Sequence, residues 1–245
     1  MDTLTVDLAL LERWLVGWSM ARGLPLPRHA GGGLVVDVGM PDQSRRHVFV
    51  DAGAALQACA AAIDEPLVYL KAAVDCDELR RALPARWQIE APRWLMACDA
   101  PMAAAAAPGY SIAASVEHGG SVLRFVDADG AVAASGVLVM NGATAIFDRI
   151  GTAPAHRRRG LGRALMGALD ALAREAGATE RLLVATGAGR ALYLQLGWRV
   201  LARYATAVLA APPFGELVEN GLSWRHGAAN GTALPVAFRT MSETP

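Results

Sequence analysis

The stretch GTAPAHRRRGLGRALMGALDALAREAG, residues 151–177, decides how the rest of the chain is interpreted. Its glycines lie where a segment of strand character passes into a run of apolar residues at helical spacing. The first turn of a helix exposes unpaired backbone N–H groups and the positive end of the helix dipole. Glycines there let a phosphate approach the backbone, and four arginines add positive charge: Arg157, Arg158, Arg159 and Arg163. The stretch predicts a phosphate or pyrophosphate site.

Two common phosphate-binding patterns do not fit this stretch. A Walker A loop needs G-x-x-x-x-G-K, which is absent. The dinucleotide pattern G-x-G-x-x-G needs a third glycine where Leu165 stands. The pattern R/Q-x-x-G-x-G/A does fit, with Arg157, Gly160 and Gly162 at a junction of strand, loop and helix. In this the chain resembles the GNAT superfamily of acyl-CoA-dependent N-acyltransferases.

The resemblance includes a longer first motif and a second one downstream. Residues 152–165, TAPAHRRRGLGRAL, are similar to the family's V-x-P-x-x-R-G-K-G-I-G-R-A-L, with Thr152 in place of the usual valine. Residues 190–198, RALYLQLGW, are similar to A-x-x-L-Y-E-K-L-G-F. Thr186 stands where the family often has asparagine. The two motifs occur in the family's order, and the resemblance covers about residues 110–209.

The resemblance implies that acetyl-CoA is the cosubstrate and that no metal is needed. The pantetheine arm is expected between the strand that ends near Thr152 and the strand over 181–186, paired with exposed backbone. Backbone N–H groups of residues 158–164 are expected to hold the pyrophosphate. The implied cofactor-binding residues are Ile150, Gly151, Thr152, Arg157, Arg158, Arg159, Gly160, Leu161, Gly162, Arg163, Ala164 and Thr186.

Two residues are candidates for proton transfer. Tyr193 corresponds to the tyrosine that donates a proton to the departing thiolate in many members of the family. Asp148 shares strand parity with Ile150 and Thr152, so its carboxylate is expected on a face common to all three. If that face is the acceptor pocket, Asp148 would take the proton of the attacking amine. The alternatives are a core aromatic at Tyr193 and, at Asp148, an ion pair with Arg149 or a charge at the strand edge.

The rest of the chain divides at DAPMAAAAAPG, residues 99–109, where prolines bracket a run of alanines. We expect an α/β domain over 1–105, a GNAT acetyltransferase domain over 106–210 and a C-terminal extension over 211–245. The fold class implied is α/β (α+β), with a GNAT-like mixed, mostly antiparallel twisted sheet flanked by helices.

Periodicity and turn residues predict the elements. Helices are predicted over 5–21, 52–63, 77–83, 160–176 and 189–196, and strands over 34–38, 47–50, 67–70, 87–97, 110–116, 122–126, 131–140, 144–152, 181–186 and 198–209. The order of elements over 52–97 repeats that over 160–209. The first region is therefore either a degenerate copy of the second or an unrelated alanine-rich segment. No R-x-x-G-x-G precedes Ala52, so a second CoA site is not expected.

One departure from the family concerns the acceptor site. The family inserts two helices between its first two strands, whereas here only five residues separate Val116 from Val122. We therefore expect residues 1–105 to cover the acceptor site. That region holds 10 basic and 13 acidic side chains, an excess that favours a cationic amine.

Composition excludes several function classes. Lys+Arg and Asp+Glu are 23 each in 245 residues, which argues against a nucleic-acid binder. The three cysteines are too scattered for a zinc site or a disulfide framework, and charges near the N-terminus argue against a signal peptide or membrane span. We expect a cytoplasmic N-acetyltransferase whose acceptor is an amine-bearing small molecule, protein N-terminus or side chain. The alternative is a non-catalytic acyl-CoA-binding regulatory module.

Overall fold

The predicted elements are present in residues 6–209, the part of the chain that the structure, a computed structural model, describes. The helices are α1 (Leu8–Met20), α2 (Ala54–Ala62), α3 (Cys76–Ala82), α4 (Leu161–Glu175) and α5 (Gly187–Gln195). The strands are β1 (Arg28–Ala30), β2 (Gly33–Met40), β3 (Gln43–Phe49), β4 (Val68–Ala72), β5 (Trp87–Ile89), β6 (Arg93–Cys98), β7 (Ser111–Glu117), β8 (Gly120–Val126), β9 (Val132–Asn141), β10 (Thr144–Thr152), β11 (Glu180–Ala185) and β12 (Arg199–Leu209).

Two details differ from the predicted elements. The single strand predicted over 87–97 is interrupted before Arg93, because Pro92 has no N–H to donate to a neighbouring strand. The short strand β1 was not predicted, since its sequence carries no alternating apolar pattern. The extension expected over 211–245 lies outside the described residues.

All twelve strands belong to one sheet. Its order is β1-β2-β3-β4-β12-β6-β11-β10-β9-β8-β7, and β5 also pairs with β12. Among the described strands, the pairs β3–β4 and β10–β11 are parallel and the others are antiparallel. Helices pack on the sheet, so the expected mixed, mostly antiparallel sheet flanked by helices is confirmed.

The two halves of the chain exchange their last strands. Strand β6 comes from the first half, yet it pairs with β11 from Arg181↔Cys98 to Ala185↔Trp94. Strand β12 comes from the second half, yet it pairs with β4 from Ala205↔Ala72 to Val208↔Tyr69. The exchanged strands also pair with each other. The boundary expected near residue 105 therefore divides the sequence but not the sheet.

The segment between the halves is anchored by a buried carboxylate on α4. Asp170 accepts hydrogen bonds from the Met102 backbone N–H (2.9 Å) and from Arg181 Nε (2.8 Å). Arg174 Nε donates to the same carboxylate at 3.1 Å. Burial of a carboxylate is tolerated when its oxygens are paired with charged donors. The segment is thereby held across α4.

Helix α1 packs on one face of the sheet, and helices α4 and α5 pack on the other. Strand residues alternate between faces, so Ile146 faces α1 whereas Phe147 faces α4 and α5. Helix α1 packs on its face through Trp14 and Trp18. It lies so close to β10 that a Cβ at Gly17 would come within 2.5 Å of Ile146 Cγ1. We call the α1 side of the sheet the α1 face.

Candidate functional site

Strands β10 and β11 separate from each other after a short paired stretch. They pair at three positions, from Thr144↔Glu180 to Ile146↔Leu182. Beyond these positions β10 continues to Thr152 and β11 to Ala185 without pairing with each other. Backbone groups on the inner edges of both strands are therefore free to accept an extended ligand, as an added strand would be accepted.

A bulge in β10 reverses the faces of the residues that follow it. The register with β9 shifts between Asp148 and Gly151, and Arg149 takes a φ of +52°. Asp148 lies two residues after Ile146, before the bulge, so its side chain is on the same face of the sheet, towards α1. Ile150 lies after the bulge and packs with the core beneath α4. The expectation that Asp148 and Ile150 share a face was therefore wrong, since parity holds only in an unbulged strand.

The start of α4 has free backbone donors. Gly160 stands at the N-cap with a φ of +81°, a conformation that glycine adopts without strain, and no side chain of the described residues caps the helix. The amides of residues 161–163 lack helical partners, as in any first turn. Ala164 N–H donates to the Gly160 carbonyl at 3.1 Å, and Ala164 is buried. Its amide is thus not available for a phosphate, contrary to the sequence-based expectation.

The four arginines around this helix start are exposed and lack acidic partners. Within the described residues, none of Arg157, Arg158, Arg159 and Arg163 forms an ion pair. Arg157 Nε donates to the carbonyl of Thr152 at 3.4 Å. Their charge therefore adds to the positive end of the helix dipole without local neutralisation.

A polar chain behind the arginines was missed by the sequence analysis. The Tyr110 hydroxyl lies 3.0 Å from His156 Nδ1 and accepts from Arg159 Nη1 at 3.2 Å. His156 Nε2 lies 3.4 Å from a carboxylate oxygen of Asp127. Residues so far apart along the chain carry no common motif, so only the fold reveals that they orient Arg159.

Two other members of the predicted cofactor set have structural roles. A Cβ at Gly162 would come within 2.9 Å of Leu192 Cδ2, so this glycine permits close packing of α4 and α5. Thr186 is the N-cap of α5, and its Oγ1 accepts from Gly189 N–H at 3.1 Å. Thr186 is also exposed beside the end of β11. Both positions therefore hold α5 at the edge of the opening between β10 and β11.

Tyr193 lies on α5 with its ring in the core. The ring packs at a tilt against Trp198, with centroids 5.9 Å apart. Burial, with a smaller contribution from the Asp148 carboxylate, raises the pKa of Tyr193 to about 12. Its hydroxyl is therefore protonated at neutral pH.

Asp148 meets the end of helix α1. Arg22 Nη2 lies 2.8 Å from one carboxylate oxygen and donates to the other at 3.1 Å. The neighbouring Arg149 Nη2 donates to the Ala21 carbonyl, so the bulge of β10 is attached to α1 at two points. Among the described ion pairs Asp148 pairs with Arg22, so the alternative of a pair with Arg149 was wrong.

Two clefts flank β9. A cleft of about 310 Å³ lies toward the C-terminal end of α4 and is lined by Gly119, Ser121, Leu138, Met140, Leu172, Glu175 and Ala176. A smaller cleft of about 110 Å³ is lined by Glu117, Val122, Arg124, Ser135, Gly136, Val137 and Arg149. The smaller one adjoins the bulge of β10, so space for a small substituent exists beside Arg149.

The described residues contain neither a membrane-spanning helix nor a cluster of metal ligands. Over residues 6–209 no helix has the length and apolar character needed to cross a membrane. In the same range no group of three or more His, Cys, Asp or Glu side chains could hold a metal ion. The three cysteines are free thiols.

Comparisons with known proteins agree with this geometry. A sequence search of curated proteins finds no significant match. A GCN5-related N-acetyltransferase from Kribbella flavida is similar in structure, with 18% identity and a TM-score of 0.56 over 85% of this chain and 98% of its own. A GCN5-related N-acetyltransferase-like protein from Streptococcus suis 89/1591 has 12% identity and a TM-score of 0.54 over 82% and 97%. These likenesses concern the fold, and they extend into the N-terminal half.

The family assignment comes from sequence. The profile of the acetyltransferase (GNAT) family matches residues 78–198, a range that includes β10, α4, β11 and α5. Both motifs noted in the sequence lie inside it. Residues 78–198 of this chain therefore belong to the acetyltransferase (GNAT) family.

Proposed function

We propose that this protein transfers an acetyl group from acetyl-CoA to a primary amine by direct attack of the amine on the thioester. Membership of the family implies acyl transfer from acyl-CoA. The observation that carries the finer proposal is the combination of two features at one place. The opening between β10 and β11 exposes backbone groups, and the start of α4 presents free amides beside four unpaired arginines.

The residues present fit the phosphates and the pantetheine arm of CoA. Amides of residues 161–163, with the side chains of Arg157, Arg158, Arg159 and Arg163, would hold the pyrophosphate. Backbone groups from Ile150 to Thr152 would pair with the pantetheine arm. Acetyl-CoA supplies an activated thioester whose acetyl group passes to the amine.

The thioester end requires two kinds of donor. Residues 149 and 150 lie opposite Gly136 alone, so the bulge leaves backbone N–H outside the ladder, where it can stabilise negative charge on the thioester oxygen. Tyr193 holds its proton at neutral pH and would donate it to the departing sulfur. The Tyr193 hydroxyl would be the proton donor in this step.

The acceptor side requires a group that removes a proton from the amine. Asp148 lies on the α1 face, held by Arg22, and its carboxylate contributes to the raised pKa of Tyr193. The two side chains are therefore within electrostatic range of each other. We propose that Asp148 binds the ammonium form of the acceptor and accepts its proton, directly or through water.

Thiol release from acetyl-CoA, measured with a panel of amines, tests the proposal against the alternative of a non-catalytic acyl-CoA-binding module. Calorimetric titration with CoA is run in parallel. Steady release that requires both an amine and Tyr193 supports the enzyme. Tight CoA binding without release for any amine supports the binding module, and absence of CoA binding overturns the site assignment.

A further inference from the structure

A group of basic side chains on the α1 face is not used by the mechanism above. Arg46 on β3 and Arg22 after α1 lie on the Trp18 ring, with their guanidinium carbons 3.6 Å and 4.9 Å from its centroid. Lys71 on β4 is a third basic residue within electrostatic range. We call Arg22, Arg46 and Lys71 the basic cluster. It joins the catalytic region through the ion pair of Arg22 with Asp148.

Arg46 carries a buried charge that no acidic side chain of the described residues contacts. It is 8% exposed, and its Nη2 donates to Gln43 Oε1 at 3.2 Å. Its Nε is buried without a hydrogen-bond partner, and it forms no ion pair with any described residue. Burial lowers the pKa of Arg46 to about 10, so the guanidinium is still charged at neutral pH. Buried charges without a partner are costly, and they are therefore rare unless a ligand completes them.

Lys71 and the Tyr204 hydroxyl are further polar groups buried near Arg46. Lys71 is also 8% exposed, and its Nζ donates to Thr206 Oγ1 at 2.9 Å. Burial and the adjacent Arg46 hold the pKa of Lys71 well below its usual range, an effect that a bound anion would oppose. The Tyr204 hydroxyl is buried and unpaired, and Tyr204 is within electrostatic range of Arg46. Arg46 Nε and the Tyr204 hydroxyl are therefore buried donors without an acceptor among the described residues.

The α1 face presents a carboxylate, on Asp148, and basic side chains, on Arg22 and Arg46. This combination suits an amine that also carries a carboxylate. Asp148 offers a carboxylate for an ammonium group and contacts Arg22, and Arg22 and Arg46 both lie on the Trp18 ring. Arg22 and Asp148 are partly exposed, at 34% and 17% of their side chains, so this pair borders solvent. A ligand that enters here would meet the carboxylate and the basic cluster together.

Building on the proposed function, we propose that the acceptor is an amino acid or a similar amine that carries a carboxylate, bound at Arg46 while its amine meets Asp148. The excess of acidic residues in 1–105 favoured a cationic amine. At Asp148 itself the side chain in contact is the basic Arg22, which shares the Trp18 ring with the buried Arg46. Local charge at the site, not the sum over a region, selects a ligand.

Matched pairs of amines test the proposal with the full chain. Thiol release from acetyl-CoA is compared for L-phenylalanine and 2-phenylethylamine, and for L-lysine and cadaverine. We expect the wild type to prefer the amino acid in each pair. Arg46→Gln removes one charge-assisted contact, so kcat/KM for the amino acid should fall about 10- to 100-fold while that for the amine stays within about threefold. Arg45→Gln is the matched control, because Arg45 is next in sequence and pairs with Asp37 and Glu65 on the surface.

Two further measurements separate binding from turnover and from folding. Calorimetric titration of the protein with L-phenylalanine and with L-lysine, with and without CoA, detects the site even if no acetyl transfer occurs. Thermal unfolding of Arg46→Gln should occur at the same temperature as in the wild type or higher, because an unpaired buried charge is removed. A purely structural Arg46 would lower that temperature.

Four results would overturn the inference. The first is equal turnover of amino acids and amines by the wild type, and the second is an Arg46→Gln variant that keeps the preference. The third is failure of both amino acids to bind. The fourth is a preference of the wild type for succinyl-CoA over acetyl-CoA with 2-phenylethylamine that Arg46→Gln abolishes, which would place the carboxylate on the acyl donor. Wild-type protein that fails to bind CoA contradicts the proposed function instead, and the titration with amino acids still decides this inference.

Discussion

Two units of the same construction, β3–α2–β4 and β10–α4–β11, lie in the two halves of the sheet and differ in how far their strands pair. Strands β3 and β4 pair at five positions, from Arg45↔Val68 to Phe49↔Ala72, so their inner edges are fully used. Strands β10 and β11 pair at three positions and then separate. We call the first the closed unit and the second the open unit. Only the open unit leaves backbone for an extended ligand.

The starts of α2 and α4 also differ in the charged side chains around them. At the start of α2, Asp51 Oδ1 accepts the Gly53 N–H at 2.8 Å, so a carboxylate of the chain already stands there. Neither helix has a side-chain cap at its N-cap residue, but among the described residues no acidic side chain binds the backbone at the start of α4, where arginines stand instead. The two units share the order of their elements, yet only the open unit has the features that our proposal assigns to CoA. In this proposal ligand binding follows from local strand pairing and charge, not from the order of elements.

Removing the first half is the most severe test of this comparison. A chain that begins at Pro108 lacks β6, which pairs with both β11 and β12. The edges of the open unit would then be exposed together with its apolar face, so we expect loss of cooperative folding. Thermal unfolding followed by circular dichroism measures this. A cooperative transition with intact CoA binding would show that the open unit is independent of the closed one.

The second test concerns chemistry that the closed unit lacks. Helix α3 follows the closed unit and carries no tyrosine, whereas α5 follows the open unit and carries Tyr193. Tyr193→Phe should lower kcat by about 10²- to 10⁴-fold, because the proton donor is lost. The factor should be constant from about pH 6 to about pH 10, since burial holds the pKa of Tyr193 at about 12. Calorimetry should show unchanged CoA affinity, and unchanged kcat would reduce Tyr193 to packing.

The third test changes the helix start of the open unit. A Cβ at Gly160 meets open space, but its φ of +81° disfavours any other residue. Gly160→Ala should therefore cost about 1–2 kcal/mol of stability while CoA affinity changes little. Gly160→Asp adds a carboxylate beside the phosphates, so the Kd for CoA should rise about 10- to 100-fold. Equal Kd values for the two variants in calorimetry would show that no phosphate of CoA binds at this helix start.

The smallest effect is expected in the closed unit. Asp51→Asn keeps an acceptor oxygen for Gly53 N–H and removes the charge at the start of α2. Stability should change by less than about 1 kcal/mol, as measured by chemical denaturation. CoA should still bind at one site per chain in calorimetry, because β3 and β4 stay paired. A second CoA site in this variant would show that the charge of Asp51, and not the pairing of β3 with β4, prevents CoA from binding to the closed unit.

Local patterns made much of the fold predictable. The hairpins of β7 to β10 follow from turn residues between alternating segments, and α4 follows from its glycines and apolar stripe. These features depend on residues close together in the chain. The family resemblance likewise rests on two contiguous motifs, and the family match over 78–198 agrees with it.

Other features required the assembled sheet. Strand parity placed Asp148 and Ile150 on one face, but a bulge separates them, and a bulge depends on how β10 meets β9. Gly162 belongs to the motif for phosphate, yet its neighbour across space is Leu192. The partner of Asp148 is Arg22, more than a hundred residues away.

By itself, the sequence determined most of the elements, the R-x-x-G-x-G pattern at residues 157–162 and the family over residues 78–198. The tertiary structure decided that β6 and β12 are exchanged between the halves and that α1 lies on the bulge of β10. It also decided that Arg46 is buried against Trp18 and forms no ion pair with another described residue. The reason is that helix periodicity, turns and caps are set by interactions within a few residues. Strand exchange, bulges and buried charge pairs are set by which distant segments share a sheet.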